Sequence, residues 1–316
     1  MSSPNIRSHC WHSTNKKTKM ILIVLLSNVS ALEWLGLTRD NEACDSSALS
    51  SSQKRLCAHK NGRFSSAVQR AATMTIASCS ENMKNEKWGC AGIERLPHRS
   101  STLKSSTAER AYLDQLSSAH LISSIYHLCQ SGTVGSCSTQ EIMAFVHQFT
   151  SIGLRRKKFE KIALQVESHN LAQGRKLAWA ERRQICKCHG ASGSCTKKTC
   201  WTTTPDVRQM NEKATQKYKT ALKLDLEGTL PAEIVRLVAS DRLIYLNKSD
   251  DFCKETVNRQ CQIHDFSRNS HCSKLCCGRD ATRKEEMIVE QECAFVWPDS
   301  IRCAPKATRV VKYLCN

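Results

Sequence analysis

Apolar positions step by threes and fours through the first half of the chain. Tyr112, Leu116, Ala119, Ile122, Tyr126 and Cys129 share one helical face. Ser106-Thr107-Ala108-Glu109 precedes them as a capping box, with Ser106 accepting from the third amide and Glu109 reaching back. Cys129 ends this predicted helix and Gly132 stops it. Ser138-Thr139-Gln140-Glu141 is a second capping box. It opens a shorter helix that turns Ile142, Phe145, Val146 and Phe149 inward. A third helical stretch carries Phe159, Ile162, Ala163 and Val166, and is expected to run on to Trp179. The period then stops. From Cys186 to Trp201 four cysteines are interspersed with Gly, Ser and Thr, which reads as a cross-linked hairpin. A polar stretch with Lys213, Lys217 and Lys219 follows. From Leu243-Ile244-Tyr245-Leu246 onward the pattern predicts short strands among dense cysteines.

The pattern predicts an α+β protein. Residues 1–31 form a signal segment, 32–240 a mostly helical domain carrying the hairpin 186–201, and 241–316 a small cysteine-rich β domain. A unit of fewer than ~80 residues depends on its staples.

Composition sharpens this picture. The chain has 316 residues, and 40% are hydrophobic, which supports a real core and excludes a wholly disordered chain. Six prolines and twelve glycines exclude collagen-like architectures. Nineteen cysteines imply disulfides in an oxidising compartment or a set of metal sites. Lys16, Lys17 and Lys19 precede Met20-Ile21-Leu22-Ile23-Val24-Leu25-Leu26, followed by Ser27, Ser30 and Ala31. A basic region, a short apolar run and small residues describe a secretory signal. The run is too short for the ~20 residues of a spanning helix.

Charge points to the same compartment. Residues 1–31 hold four basic and no acidic residues, so the remainder carries 43 basic against 29 acidic. Outside the cell the matching polyanions are heparan sulfate and anionic surfaces rather than nucleic acid. Arg155-Arg156-Lys157-Lys158, with Lys161 one turn on, is the tightest basic run; a solvated helix face fits it equally.

The densest chemistry lies in Cys186-Lys187-Cys188-His189-Gly190-Ala191-Ser192-Gly193-Ser194-Cys195, which continues to Cys200-Trp201. Cys188–Cys195 nested inside Cys186–Cys200 would staple a hairpin twice. Gly190 and Gly193 give its tip turn freedom, and Ser192 is held outward for a modifying enzyme. A zinc site would use Cys186, Cys188, His189, Cys195 and Cys200, but C-x-C spacing suits tetrahedral coordination poorly. A hydrolase elbow needs G-x-S-x-G, and Gly190-Ala191-Ser192-Gly193-Ser194 fails at its last position. A structural hairpin with an idle serine also satisfies the spacing. No residue is assigned as catalytic or as a metal ligand.

This segment resembles the thumb hairpin of Wnt proteins, secreted lipid-modified signalling ligands whose motif reads C-K-C-H-G-x-S-G-S-C and then C-W. The resemblance runs through most of the chain. Cys44 and Cys57 with Gln53 between, Cys79 to Lys87-Trp88-Gly89-Cys90, and Ala108 to Cys129 followed by Gln130-Ser131-Gly132 and Cys137 are similar to family segments. So are Asp251-Phe252-Cys253, Cys272-x3-Cys276-Cys277-Gly278-Arg279 and Cys293-Ala294-Phe295-Val296-Trp297.

The resemblance implies a non-enzymatic, secreted Wnt-type ligand that controls cell fate, polarity or patterning. Ser192 would carry a monounsaturated fatty acyl ester added by a secretory acyltransferase, and no other cofactor is implied. His189, Gly190, Ala191, Ser192 and Gly193 would then enter the Frizzled cysteine-rich domain. A second receptor contact would lie at the index-finger tip, Phe295, Val296, Trp297, Pro298 and Asp299; core packing is an equal alternative for Phe295 and Trp297. Further implied partners are a Wnt carrier protein, a lipoprotein-receptor-related or other Wnt co-receptor, and heparan sulfate of the extracellular matrix.

The implied disulfides are Cys44–Cys57, Cys79–Cys90, Cys129–Cys137, Cys186–Cys200, Cys188–Cys195, Cys253–Cys277, Cys261–Cys272, Cys276–Cys315 and Cys293–Cys303. Cys10 would leave with the signal segment. Asn247-Lys248-Ser249 is the glycosylation sequon beyond the signal region, where Asn28-Val29-Ser30 falls.

The chain departs from the family at Gln291 and Lys306, which stand where one bridge would form, and at Pro298 and Asp299, which stand where another would. Thr139 replaces a further cysteine whose partner would fall near Val146. These losses make the finger tip looser and leave a receptor- or matrix-binding antagonist as an alternative; a serine hydrolase is a more distant one.

Overall fold

A computed structural model describes residues 32–39, 44–91, 93, 105–151, 161–180, 183–203, 206–225, 240–297 and 300–316. The signal segment, Cys10, the basic run 155–158, Phe159, Pro298 and Asp299 lie outside the described residues.

Among the described residues six helices build the body: α1 (Ser51–Gly62), α2 (Ser65–Asn82), α3 (Ala108–Gln130), α4 (Thr139–Ser151), α5 (Lys161–Ala180) and α6 (Val207–Lys219). The spacing predicts a stripe on α3, but Glu109 through Ile125 are buried on every side. Polar positions such as Gln115, Ser117, Ser118 and His120 are covered by neighbouring helices instead of water. Gly174 of α5 explains how one neighbour comes so close. A Cβ there would sit 2.1 Å from the Gln115 carbonyl oxygen. Arg110 is buried beside Asp114 at 2.9 Å and Glu167 at 3.5 Å, which supplies its counter-charge.

The predicted capping box is shifted by one residue. Thr107, not Ser106, is the N-cap of α3, and its side chain accepts from the Arg110 amide. Glu109 accepts instead from Tyr218 Oη at 3.1 Å and Ser249 Oγ at 2.6 Å. The Ser106 carbonyl receives the amides of Leu246 and Asn247 at 2.8 Å each. At α4, Ser138 Oγ accepts from the Glu141 amide, while the Glu141 carboxylate pairs with Arg63 at 2.7 Å. A further capping box, Ser50 with Gln53, opens α1.

His120 carries a pH dependence. Its Nε2 lies 3.1 Å from Asn211 Oδ1, while Nδ1 has no partner among the described residues. Burial pushes its pKa down to about 4. The unfolded imidazole titrates near 6.5, so between these values the unfolded chain binds the proton more strongly. Stability is therefore expected to fall as pH drops from 6.5 to 4, by about 3 kcal/mol in all, and to level off below that. Thermal unfolding across this window checks it: His120→Gln should remove that part of the slope.

Beyond α5 the chain forms the hairpin β1 (Arg183–Cys188) and β2 (Lys198–Thr203). After α6, β3 (Leu222–Lys223) pairs in parallel with β4 (Ile244–Tyr245), and Asn170 fixes Ile244 through its carbonyl and its amide. Residues 243–246 are thus packed on the helical body. The C-terminal part holds β5 (Gln260–Cys261), α7 (Cys272–Leu275), β6 (Ala281–Val296) and β7 (Ser300–Cys315) in a sheet of order β5-β7-β6. Short strands are expected here, but β6 and β7 are sixteen residues each. Both faces of most of this ribbon meet water, so it lacks the one-sided alternation that marks a half-buried strand.

The buried apolar cluster at the ribbon's base is Cys261, Cys272, Leu275, Cys276 and Cys315. Four of its five members are half-cystines, so the bridges replace a conventional core here.

Candidate functional site

The thumb hairpin is built by register. Cys186 faces Cys200 and Ile185 faces Trp201 across the antiparallel pair. Disulfides Cys186–Cys200 and Cys188–Cys195 close nested rings. Beyond Cys188 the His189 amide donates to the Lys197 carbonyl at 2.7 Å, and the Gly190 amide to the Ser194 carbonyl at 2.8 Å. Ala191–Gly193 then makes one tight turn, with Ser192 and Gly193 both at positive φ.

Gly190 serves space more than turn freedom. Its backbone is extended, and a Cβ would lie 2.0 Å from Ser194 Oγ. Gly193 is left-handed, with φ +78. Ser192 itself adopts φ 58, unusual for a residue with a side chain. It is exposed, and its hydroxyl has no partner within the chain among the described residues. His189, Ala191 and Gly193 are exposed beside it, with Gly190 half-buried. The hairpin is anchored at its other end: Tyr126 Oη and Gln130 Nε2, at the end of α3, both donate to the Thr202 carbonyl, the latter at 2.7 Å. Sequence periodicity placed Tyr126 on the stripe but gave no sign of this anchoring role.

The finger ribbon ends in a second exposed surface. Phe295 is 66% exposed and Trp297 84%, so core packing is excluded for both. Val296 is exposed as well, at 38%. Phe295 pairs with Ile301, itself exposed, two positions beyond the Cys293–Cys303 disulfide. Gln291 faces Pro305, whereas Lys306 faces Glu290. Gln291 and Lys306 therefore lie on opposite faces of the ribbon, and no bridge could join them in this register. Lys306 is held by Glu292 at 3.0 Å instead. Thr139 and Val146 stand two turns apart on α4, about 10 Å along its axis, which is beyond disulfide reach.

The remaining bridges are Cys44–Cys57, Cys79–Cys90, Cys129–Cys137, Cys253–Cys277, Cys261–Cys272 and Cys276–Cys315. Cys261, Cys272 and Cys276 bring three sulfurs together, but all three are spent in disulfides, leaving no thiolate for a metal. Asn247 is exposed, and the Ser249 hydroxyl of its sequon is the one that donates to Glu109. Among the described residues no helix is long and apolar enough to cross a membrane.

A doubly stapled hairpin on a helical body, with a long cystine-rich ribbon beside it, defines a protein class. The Wnt family model matches residues 45–144 and 139–316, and the chain belongs to the Wnt family of secreted signalling ligands. Protein Wnt-11b of Xenopus laevis is 28% identical over 95% of this chain and 98% of its own length. Protein Wnt-9a of Gallus gallus is 25% identical over 93% of this chain and 92% of its own. In solved structures the fold is matched by the complex of human WLS with WNT8A, with TM-score 0.62 and 24% identity over 91% of this chain and 100% of that one. The chain is a Wnt-type ligand.

Proposed function

We propose that this ligand carries a monounsaturated fatty acyl ester on Ser192 and engages a Frizzled-type cysteine-rich domain through that chain. The observation that carries the reading is the geometry of Ser192. It is exposed and unpartnered at the tip of a hairpin that two disulfides hold rigid. No His or carboxylate contacts its hydroxyl among the described residues, so it is suited to be a substrate of an acyltransferase rather than a nucleophile. His189, Gly190, Ala191 and Gly193 form the protein rim around the lipid. Phe295, Val296 and Trp297 provide the second receptor contact, with Pro298 and Asp299 next to them in sequence.

An acylated chain needs a carrier on its way out of the cell, and the WNT8A complex with WLS supports such a partner. The basic balance suits retention on heparan sulfate in the extracellular matrix, Asn247 is the glycan acceptor, and a lipoprotein-receptor-related or other Wnt co-receptor completes the signalling assembly.

The test is to express the chain with and without the secretory acyltransferase and titrate each product against a soluble Frizzled cysteine-rich domain. Saturable binding by the acylated product alone is expected. Equal binding by both would overturn the reading.

A further inference from the structure

We infer that Arg259 is a positioning residue that fixes the spacing between thumb and finger. The inference rests on the two-contact receptor reading above.

Arg259 belongs to the C-terminal part, immediately before β5. Its carbonyl accepts the Cys315 amide at 3.0 Å, which ties it to the root of β7 and hence to the finger. Its guanidinium crosses to the helical body. Nη1 donates to the Lys87 carbonyl at 2.8 Å and Nη2 to the Lys84 carbonyl at 2.6 Å. Both carbonyls belong to the turn after α2, which the Cys79–Cys90 disulfide clips to that helix. Trp88 of the same turn is buried against Tyr112 of α3 and also meets Phe252 of the C-terminal part. Asn269 adds a bond to Glu86 at 2.9 Å.

The receiving turn is shaped for this side chain. Gly89 has φ +55, and a Cβ there would stand 2.6 Å from Arg259 Nη1 and 2.7 Å from its Cζ. The rest of the path is continuous. The body continues along α3 to Tyr126 and Gln130, which hold Thr202 at the hairpin base. Beside the Trp88–Phe252 packing and the Asn269–Glu86 bond, one planar cation with two backbone acceptors thus ties the two arms at their roots.

Two contacts on one rigid frame bind with an effective concentration that a loose frame loses. Arg259 touches neither proposed contact. Its removal should therefore weaken the two-armed ligand while sparing an arm that binds alone.

The experiment measures affinity of the full acylated chain for the Frizzled cysteine-rich domain. Arg259→Ala removes the latch. Gly89→Asn keeps Arg259 but blocks its seat with a residue that tolerates left-handed backbone. Each variant is also made in a Trp297→Ser background, where the thumb binds alone. The expected result is at least a tenfold loss from either variant in the two-armed chain, less than a twofold change in the Trp297→Ser background, and unchanged secretion. An equal loss in both backgrounds would mean a folding defect and overturn the inference. No loss in either would overturn it as well. If Ser192→Ala and Trp297→Ser alone leave affinity unchanged, the two-contact reading fails first and the latch falls with it.

Discussion

Ser192→Ala is expected to lower affinity for a Frizzled cysteine-rich domain by at least 100-fold while the protein still folds and is secreted. The magnitude follows from the lipid. A buried methylene contributes ~0.8 kcal/mol, so four of them already supply roughly 3 kcal/mol, more than a hundredfold. A serine hydroxyl exchanged for a methyl group supplies nothing comparable. The fold is spared because the Ser192 side chain is exposed and unpartnered at the tip, while the hairpin is held by Cys186–Cys200, Cys188–Cys195 and the bonds to Thr202. Ser192→Gly is the matching control, since glycine accepts φ 58 without strain and also lacks the hydroxyl. Both variants should lose receptor affinity equally, and both should leave the detergent-rich phase in partition experiments. An Ala variant that binds like the parent would show that the hairpin acts without a lipid.

Removing the Cys276–Cys315 bridge, as Cys276→Ala with Cys315→Ala, is expected to unfold the C-terminal part and stop secretion. The bridge closes a sequence separation of 39 residues. In the chain-entropy account such a closure is worth about 4 kcal/mol. It also supplies two of the five buried members of the local core, whose main aliphatic side chain is Leu275. The contrasting variant is Cys293→Ser with Cys303→Ser. That bridge lies on the exposed ribbon, away from the core cluster, and separates only ten residues. Its loss should leave secretion intact and loosen only the tip. Secreted yield and limited proteolysis distinguish the two: both variants secreted equally well would refute the claim that the base bridges act as the core.

These expectations show where the sequence was informative. The hairpin was legible because its chemistry is local: two cysteine pairs, two glycines and two serines lie within sixteen residues. The buried face of α3 was legible through Tyr112, Leu116, Ala119 and Ile122. Its other faces were not, because Gln115, Ser117, Ser118 and His120 look like solvent positions until neighbouring helices cover them, α5 at Gln115 and Ser118 through Gly174 and α6 at His120 through Asn211. The cap was misplaced by one residue because Ser106 and Thr107 are both competent, and tertiary partners claimed Glu109. The long ribbon was hidden because most of its side chains on both faces meet water. Arg259 left no signal at all, since its partners are backbone carbonyls, which every residue carries alike.

The central claim is that Ser192 carries a fatty acyl ester. Mass analysis of the proteolytic peptide that spans Cys186 to Trp201, from secreted and receptor-active protein, tests it most directly. A monounsaturated acyl adduct on Ser192, released by hydroxylamine or mild base, is expected on a peptide whose four cysteines are all oxidised. An unmodified Ser192 in receptor-active protein would contradict it.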